Sequence, residues 1–332
     1  MGAESTTNLN EPGVYAYARA PKAKSSSCRA AARDSARKVK APAAAPSAWR
    51  PVIPLAQIAL ALACIAGCAT ARNYDDPSGP MLVGSIPSPA PARPELRVVT
   101  FNIQFARHVD RAIELLKRSG PLADADVLVL QEMDGPGTEA VARALEMNHV
   151  YVPSAVHPQS DRDFGVAILS PWPLEDTRKV LLPHRHRFRK MSRSAAAATV
   201  RAPIGAVRVV AVHLETVFGG SGNVRRNQAR AVAAEEAAWT GPIVIAGDFN
   251  GTDAARELVR LGFTWLTRDV HDTAGPFDLD HIVVRGLCAT RVPPAAKAAD
   301  PLKASDHLPV WATLVPCVAP RDQSAGHSRA EP

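Results

Sequence analysis

Short apolar runs that end in polar residues recur along the C-terminal two thirds of the chain. The clearest is 244–250, in which Val, Ile and Ala lead into Gly247, Asp248, Phe249 and Asn250. Such a run predicts a buried strand. Residues two positions apart on a strand point to the same side, so the Asp248 carboxylate and the Asn250 amide are predicted to lie together. This arrangement suits a metal-and-water site, although Asp and Asn are also common in simple turns after strands.

The same pattern predicts one α/β domain over residues 96–315. A helix at 138–146 is expected to start at Thr138 as its N-cap. Strands mixed with helices, without an internal linker, favour two stacked sheets with helices outside. Residues 316–332 turn polar and are expected to be a disordered tail. The other predicted helices are 109–119, 223–239 and 253–261, and the predicted strands are 96–103, 126–132, 164–170, 197–201, 207–213, 244–248, 280–284 and 307–314, with a short strand at best at 151–153.

Residues 1–67 have a different composition. A basic segment rich in Ala, Pro and Ser precedes the short apolar block 55–66. This order is typical of a secretory signal peptide, and the block is too short to span a membrane. It closes with Ile-Ala-Gly-Cys, which resembles the bacterial lipobox, so we expect lipid attachment at Cys68; an incidental cysteine is the alternative. The basic region is unusually long, so residues 1–38 are either a disordered extension or the product of a misassigned start codon.

Residues 68–95, rich in Pro, Ser and Ala, are predicted to be a tether. Leader, lipidated cysteine and tether together predict an exported protein anchored in a bacterial cell envelope, facing the periplasm or the exterior. Two cysteines remain beyond this region, Cys288 and Cys317. In an exported domain they can form a disulfide, and two buried thiols are the alternative.

The net charge of +7 is unevenly distributed. Of the chain's 39 Lys/Arg and 32 Asp/Glu, residues 1–67 hold nine and three, which leaves 30 and 29 in residues 68–332. A basic chain suggests a nucleic-acid partner. Because the domain itself is close to neutral, charge does not favour that partner here.

Several predicted strands begin or end in acids, amides or histidines. Buried polar groups need partners, so the simplest explanation is that these strand ends meet in one cleft. Carboxylates and amides without a Cys cluster favour a hard cation such as magnesium, manganese or calcium. The chain carries neither a GxSxG elbow nor a P-loop, which leaves serine hydrolases and nucleotide-binding enzymes without support. The polar strand ends are Asn102, Glu132, His213, Asp248 with Asn250, Asp280, and Asp306 with His307.

Six short motifs contain these residues. In chain order they are Phe101-Asn102-Ile103, Gln131-Glu132, His213-Leu214, Gly247-Asp248-Phe249-Asn250, Asp280-His281-Ile282 and Ser305-Asp306-His307-Leu308-Pro309. This order resembles the endonuclease/exonuclease/phosphatase superfamily, which includes deoxyribonuclease I, abasic-site endonucleases, neutral sphingomyelinases and inositol-polyphosphate phosphatases. The resemblance implies a four-layer α/β/β/α sandwich of two mixed sheets and metal-dependent phosphoester hydrolysis.

The resemblance also implies the metal site. Glu132 is the expected principal ligand, with Asn102 and Asp306 close to the ion. The expected cofactor is Mg²⁺, with Mn²⁺ or Ca²⁺ as alternatives. Gln131 is expected to be structural.

The remaining motifs imply groups that handle water and phosphate. Asp248 and Asn250 resemble the pair that orients the attacking water and the scissile phosphate. His213 resembles a phosphate contact that stabilises developing charge. His307, paired with Asp280, resembles the histidine that orients or deprotonates the nucleophile. Whether His307 or Asp248 is the base stays open at this point.

Residues 184–193 form the one dense basic run of the domain. Arg187, Arg189 and Lys190 are candidate contacts to a polyanion, an acidic lipid surface or a substrate phosphate, and a solvated loop is the alternative. The substrate class is left open between nucleic acid, phospholipid head group and small phosphodiester. The Asp280 motif lacks the Arg usual in inositol-polyphosphate phosphatases, and His281 is expected to pack rather than react. We expect a monomer. A non-catalytic binding module on the same scaffold is the competing hypothesis.

Overall fold

The computed structural model of the chain describes residues 70–86, 93–118 and 120–317. The predicted leader, Cys68 and residues 318–332 of the predicted tail lie outside this range. Within it, no helix is long and apolar enough to cross a membrane.

The described residues form fifteen strands, five α-helices and one 3-10 turn at Gln104–Ala106. The helices are α1 (Val109–Arg118), α2 (Gly120–Ala123), α3 (Gly135–Leu145), α4 (Gly222–Glu235) and α5 (Asp253–Arg260). The strands are β1 (Arg72–Asn73), β2 (Leu82–Gly84), β3 (Leu96–Asn102), β4 (Val127–Met133), β5 (Asn148–His157), β6 (Arg162–Ser170), β7 (Leu174–Arg185), β8 (Ser192–Ala202), β9 (Gly205–His213), β10 (Ile243–Asp248), β11 (Thr264–Trp265), β12 (Asp280–Arg285), β13 (Leu287–Ala289), β14 (Ala295–Lys297) and β15 (Val310–Pro316).

Two mixed sheets organise these strands. One has nine strands in the order β1-β5-β6-β4-β3-β15-β13, with β14 on β15 and β2 on β5. The other has six in the order β11-β12-β10-β9-β8-β7. The pairs β3/β4 and β9/β10 are parallel, and the other pairs are antiparallel.

Successive side chains on each strand point to opposite faces of the sheet, which explains the layers. Val98 packs between the two sheets, whereas Val99 packs beneath α1 and α3. In the six-stranded sheet Val244 faces the inter-sheet core and Ile245 faces α4 and α5. Both faces of each sheet are therefore covered, which explains why the central strands are almost wholly apolar. The predicted α/β/β/α sandwich is confirmed.

Two local predictions were wrong. Strand β5 covers ten residues, all buried, rather than the predicted 151–153. Pro153 lies where the pairing with β6 shifts register, so it interrupts the ladder without ending the strand. Helix α3 is capped by Asp134, whose Oδ1 accepts the Gly137 amide at 2.8 Å, and not by Thr138, whose hydroxyl donates to the Asp134 carbonyl oxygen.

The predicted tether also requires correction. Strands β1 and β2 pair with β5, so residues 70–86 belong to the folded domain. Lys179 on β7 donates from Nζ to the carbonyl oxygens of Tyr74 (2.6 Å) and Gly79 (2.8 Å). Backbone pairing and carbonyl contacts of this kind leave no mark in composition. At the other end of the domain Cys288 and Cys317 form a disulfide, with a Cα–Cα distance of 5.0 Å.

Candidate active site at the strand ends

The polar strand ends meet as predicted. His213 and Asp248 close the parallel pair β9 and β10, and Asp280 opens β12 directly opposite Asp248. Asn102 and Glu132 lie at the ends of β3 and β4 in the other sheet. Asn102 joins the two sheets, because its Nδ2 donates to Asp248 Oδ2 at 3.0 Å.

Backbone irregularities aim two of these side chains. The β4 pairing with β6 shifts between Gln131 and Met133, and Glu132 at this bulge has a φ of 57°. Bulges re-aim side chains in this way. Gly247 has a φ of 148°, and a Cβ there would lie 1.9 Å from the Val212 carbonyl oxygen. Only glycine therefore fits before Asp248.

Asp280 and His307 form a buried pair. His307 Nδ1 lies 2.8 Å from Asp280 Oδ2, which leaves Nε2 facing Asp248 Oδ2 at 3.9 Å. Burial lowers the pKa of His307, but the Asp280, Asp248 and Asp306 carboxylates outweigh it and raise that pKa to about 10. The pair is therefore an imidazolium held by a carboxylate, with its free N–H directed at Asp248.

Asp248 lies between Asn102, Asn250 and both histidines. Its Oδ1 accepts a hydrogen bond from the backbone N–H of Asn250 at 2.8 Å, and its Oδ2 lies 3.4 Å from His213 Nε2. Burial raises the pKa of Asp248 to about 7, although His307 opposes the shift. Burial, with help from Arg193 and His307, holds the pKa of His213 well below its ordinary value, so this histidine is neutral.

Asn250 anchors the turn after Asp248. Its Nδ2 donates to the Leu214 carbonyl oxygen at 3.0 Å, and the Leu214 amide donates to the Asp248 carbonyl oxygen at 2.9 Å. These bonds tie the loops after β9 and β10 together. Asn250 has a φ of 53°, which asparagine tolerates better than most residues.

The Glu132 carboxylate has only neutral hydrogen-bond donors. Oε1 accepts from Asn102 Nδ2 at 3.3 Å and Oε2 from the Phe105 amide at 3.0 Å. Burial raises its pKa, the Asn102 hydrogen bond and the Arg193 and His307 charges oppose the shift, and the nearby Asp306 carboxylate adds to it. Within the described ranges neither Glu132 nor Asp306 forms an ion pair with Lys, Arg or His. Two neighbouring carboxylates without an ion-pair partner fit a divalent cation.

A second group of residues also has metal-ligand geometry. Atoms of Asp248, Asp280 and His307 lie within 4.8 Å of one another. Here the His307 imidazolium offsets one of the two carboxylate charges, and its Nδ1 is engaged by Asp280. Asn102 Oδ1 accepts the Gln104 amide at 3.0 Å, so its carbonyl side is engaged in the following turn.

A cluster of rings beside the site, which we name the ring wall, was not predicted. It consists of Phe105, His157 and Phe164, with the Arg193 charge against it. The Phe105 and His157 rings lie 4.8 Å apart, and the Phe164 ring lies 5.4 Å from the His213 ring. Arg193 Cζ lies 5.3 Å from the Phe164 ring, and its charge depresses the pKa of His213. Arg193 belongs to the basic run, which was a usable signal; His157 falls in the part of β5 that the sequence did not predict.

The predicted substrate contacts occupy the loop between β7 and β8. Arg189 Nη1 lies 2.9 Å from His157 Nε2, while Arg187 and Lys190 are exposed. The two residues expected to be structural are so: Gln131 bonds to Thr100, and His281 is fully buried among Phe249, Trp265 and Thr267.

Comparisons with known proteins agree with this fold. Residues 99–307 match the model of the Endonuclease/Exonuclease/phosphatase family. No curated protein matches the chain. An endonuclease/exonuclease/phosphatase from Beutenbergia cavernae DSM 12333 is 24% identical, with a TM-score of 0.52, 68% of this chain covered and 72% of that one.

Two further structures share the fold at lower identity. The endonuclease/exonuclease/phosphatase from Bacteroides vulgatus is 16% identical, with a TM-score of 0.55 and coverage of 68% and 100%. D. rerio TDP2, in complex with a single-strand DNA product, is 17% identical, with a TM-score of 0.53 and coverage of 67% and 99%. The family model spans more than half of the chain, so this protein belongs to the endonuclease/exonuclease/phosphatase family, whose members are hydrolases of phosphoester bonds and generally depend on a divalent metal.

Proposed function

We propose that this chain is a divalent-metal-dependent hydrolase of phosphodiester bonds that uses water as the nucleophile. The observation that carries the proposal is the meeting, at one strand-end site, of the Asp280–His307 pair, the Asp248 carboxylate and the Glu132 carboxylate, which forms no ion pair among the described residues. Buried charges are costly unless they are paired, so a set of this kind is difficult to explain by packing. It is also what a non-catalytic binding module has no reason to retain.

The chain's own groups divide the reaction between them. Asp248 orients the attacking water and accepts its proton. Its Oδ2 faces both histidines. His307 is not the base, because it is already an imidazolium whose Nδ1 is engaged by Asp280. His307 Nε2–H faces the same space and donates to the phosphate as charge develops. As the bond from the water oxygen to phosphorus forms, the P–O bond to the leaving group breaks, and the leaving oxygen takes a proton from solvent. His213, neutral and buried, contacts a phosphate oxygen. Asn250 holds the Asp248 turn in place.

Glu132, with Asn102 and Asp306, would hold the cation, for which Mg²⁺ is the first candidate. A divalent ion bound there would polarise the phosphoryl oxygen and offset the charge that develops on it. The donor set of two carboxylates and an amide matches a hard cation.

The test is hydrolysis of bis(p-nitrophenyl) phosphate by the purified full-length chain, with Mg²⁺ or Mn²⁺ and with a chelator. We expect turnover that requires the metal and that in Glu132→Gln needs a metal concentration at least about 10–100-fold higher. Glu139→Gln, the same change on the exposed face of α3, is the matched control. Equal turnover with and without chelator contradicts the proposal. A parallel panel of plasmid DNA, RNA, sphingomyelin and inositol phosphates then selects the substrate class.

The location of the enzyme is a second part of the proposal. We propose export and anchoring by a lipid on Cys68, with the domain facing the periplasm or the exterior, as a monomer. The lipobox-like sequence supports it, and the Cys288–Cys317 disulfide is what an exported domain is expected to carry. Intact mass of the protein expressed from its native gene tests it. A diacylated species that begins at Cys68 is expected, and an unmodified species that begins at Met1 contradicts it.

A further inference from the structure

Large apolar side chains are exposed on two loops beside the active site. Phe188 is 68% exposed in the β7–β8 loop, and Val217 and Phe218 are 58% and 82% exposed in the loop after β9. The loops are joined by a hydrogen bond from the Arg187 amide to the Gly219 carbonyl oxygen at 2.9 Å. Phe188 and Phe218 are each one residue from this bond. We name residues 185–190 and 216–219 the rim patch.

The rim patch is also basic. Arg187 and Lys190 are exposed, and neither forms an ion pair with any residue in the described part of the chain. Arg187 Cζ lies 5.5 Å from the Phe188 ring. Arg185 is neutralised by Asp75, at 2.8 Å. Exposed aromatic and aliphatic side chains among unpaired cations are typical of surfaces that bind anionic lipid interfaces.

The patch adjoins the catalytic groups. Arg189 Nη1 lies 2.9 Å from His157 Nε2, and the His157 ring lies 4.8 Å from the Phe105 ring. The Phe105 amide donates to Glu132 Oε2 at 3.0 Å. One layer of rings therefore separates the basic loop from the expected metal ligand.

The first described residues after the expected lipid attachment contact the patch. The Ala71 amide donates to the Arg189 carbonyl oxygen at 3.1 Å, and Asn73 Nδ2 donates to the Lys190 carbonyl oxygen at 2.8 Å. Cys68 precedes Ala71 by three residues. Three residues reach at most about 11 Å, so a lipid on Cys68 places the bilayer surface close to the rim patch.

We propose that the rim patch docks on an anionic lipid bilayer and holds the mouth of the active site against the membrane. The inference rests on the proposed anchor and assigns the proposed hydrolase a substrate class, phosphodiesters carried at a lipid surface. A nucleic acid fits the same cations less well. Val217 offers no face for base stacking, and only Arg187 and Lys190 remain free to follow a phosphate backbone.

The test locates the patch directly. In full-length Cys68→Ala, which removes the lipid, Phe188→Trp is compared with Val292→Trp. Val292 is fully exposed between β13 and β14, at the opposite edge of the nine-stranded sheet from β1. Both variants are mixed with anionic vesicles that carry bromine on their acyl chains. We expect quenching of the new tryptophan in Phe188→Trp and none beyond the parent level in Val292→Trp. Equal quenching in both variants, or none in either, overturns the proposal.

The charges are tested in the same background. Arg187→Ser/Lys190→Ser is expected to weaken partition onto anionic vesicles about 30-fold, from ~1 kcal/mol per basic residue near the surface. Arg268→Ser/Arg291→Ser is the matched control, because Arg268 follows β11 and Arg291 follows β13, away from the patch in both sheets. An equal loss in both double variants overturns the proposal.

Docking and catalysis are separated by two further measurements. Glu132→Gln is expected to dock as the parent does. Absence of docking by a parent that hydrolyses a soluble diester overturns this inference and leaves the proposed function standing. Docking by a parent that does not hydrolyse the soluble diester overturns the proposed function and leaves the docking inference standing. If the emission of the Phe188→Trp variant shifts with a single-stranded oligonucleotide and not with vesicles, the membrane is overturned in favour of nucleic acid.

Discussion

The two halves of the active site offset their carboxylate charges differently. In the half formed by Asp248, Asp280 and His307, one imidazolium is paired with Asp280 and faces Asp248. In the half formed by Glu132 and Asp306, only amide donors approach the Glu132 carboxylate. The first half contains its own positive charge, whereas we propose that a bound cation supplies it in the second. This difference supports the proposal that the first half prepares the water and the second half binds the metal.

The largest expected effect comes from removing His307, which carries the positive charge of the first half. His307→Ala should lower kcat about 10²–10³-fold, the usual cost of removing one donor to developing charge, at every metal concentration. It should also destabilise the fold by about 3–5 kcal/mol, because Asp280 is left as an unpaired buried charge. Steady-state kinetics and chemical denaturation measure both. His108→Ala, an exposed histidine before α1, is the control. Near-parental turnover would contradict the assigned role.

The pH dependence of that destabilisation has a defined sign. The folded pKa of His307 is raised to about 10, against about 6.5 in the unfolded chain. Its stabilising contribution is therefore fully present below pH 6.5 and is lost as pH rises through 10. The stability gap between the parent and His307→Ala should narrow from pH 6.5 towards pH 10. A gap that is constant over this range would show that the histidine is not charged in the folded protein.

Removing the Glu132 charge should change the metal requirement rather than destabilise the metal-free fold. Glu132→Gln should raise the metal concentration needed for half-maximal activity by at least about 10–100-fold, the range that changes around a metal site produce. In chelator it should be as stable as the parent or about 1 kcal/mol more stable, because burial disfavours the Glu132 carboxylate. Kinetics across a Mg²⁺ series and denaturation in chelator measure these effects. A marked loss of metal-free stability would show that the Glu132 charge is already compensated.

The smallest effect is expected from a histidine that belongs to neither half. Burial lowers the pKa of His281 to about 4, so it is neutral when folded and gains a proton on unfolding below about pH 6.5. It therefore costs stability as pH falls from 6.5 to 4. His281→Phe, which keeps an aromatic ring beside Phe249 and Trp265, should flatten that part of the stability profile while turnover stays within about twofold. A large loss of turnover would place His281 in the site.

The sequence allowed the strand ends to be predicted because each apolar run begins or ends at a polar residue that is costly to bury. Asp248, Asp280 and Glu132 stand out for that reason. The contacts between them were out of reach, because they depend on register and on how the sheets stack. The bond from Asn102 to Asp248 crosses between sheets, and the bulge at Glu132 is a property of the β4–β6 pairing.

The same limit explains the errors at the domain's edge. Residues 70–86 have the composition of a linker, but an edge strand is bound through its backbone, whatever its side chains. Strand β5 contains a proline that usually ends a strand. Because β5 was predicted too short, His157 and the ring wall beside the site were missed.

The central claim is that the cation belongs to the Glu132 half. It is tested most directly by calorimetric titration of Mg²⁺ into the metal-free parent, Glu132→Gln and His307→Ala. The account predicts that binding is lost in Glu132→Gln and retained in His307→Ala. Binding retained in Glu132→Gln and lost in His307→Ala would contradict it, and would place the metal among Asp248, Asp280 and His307 instead.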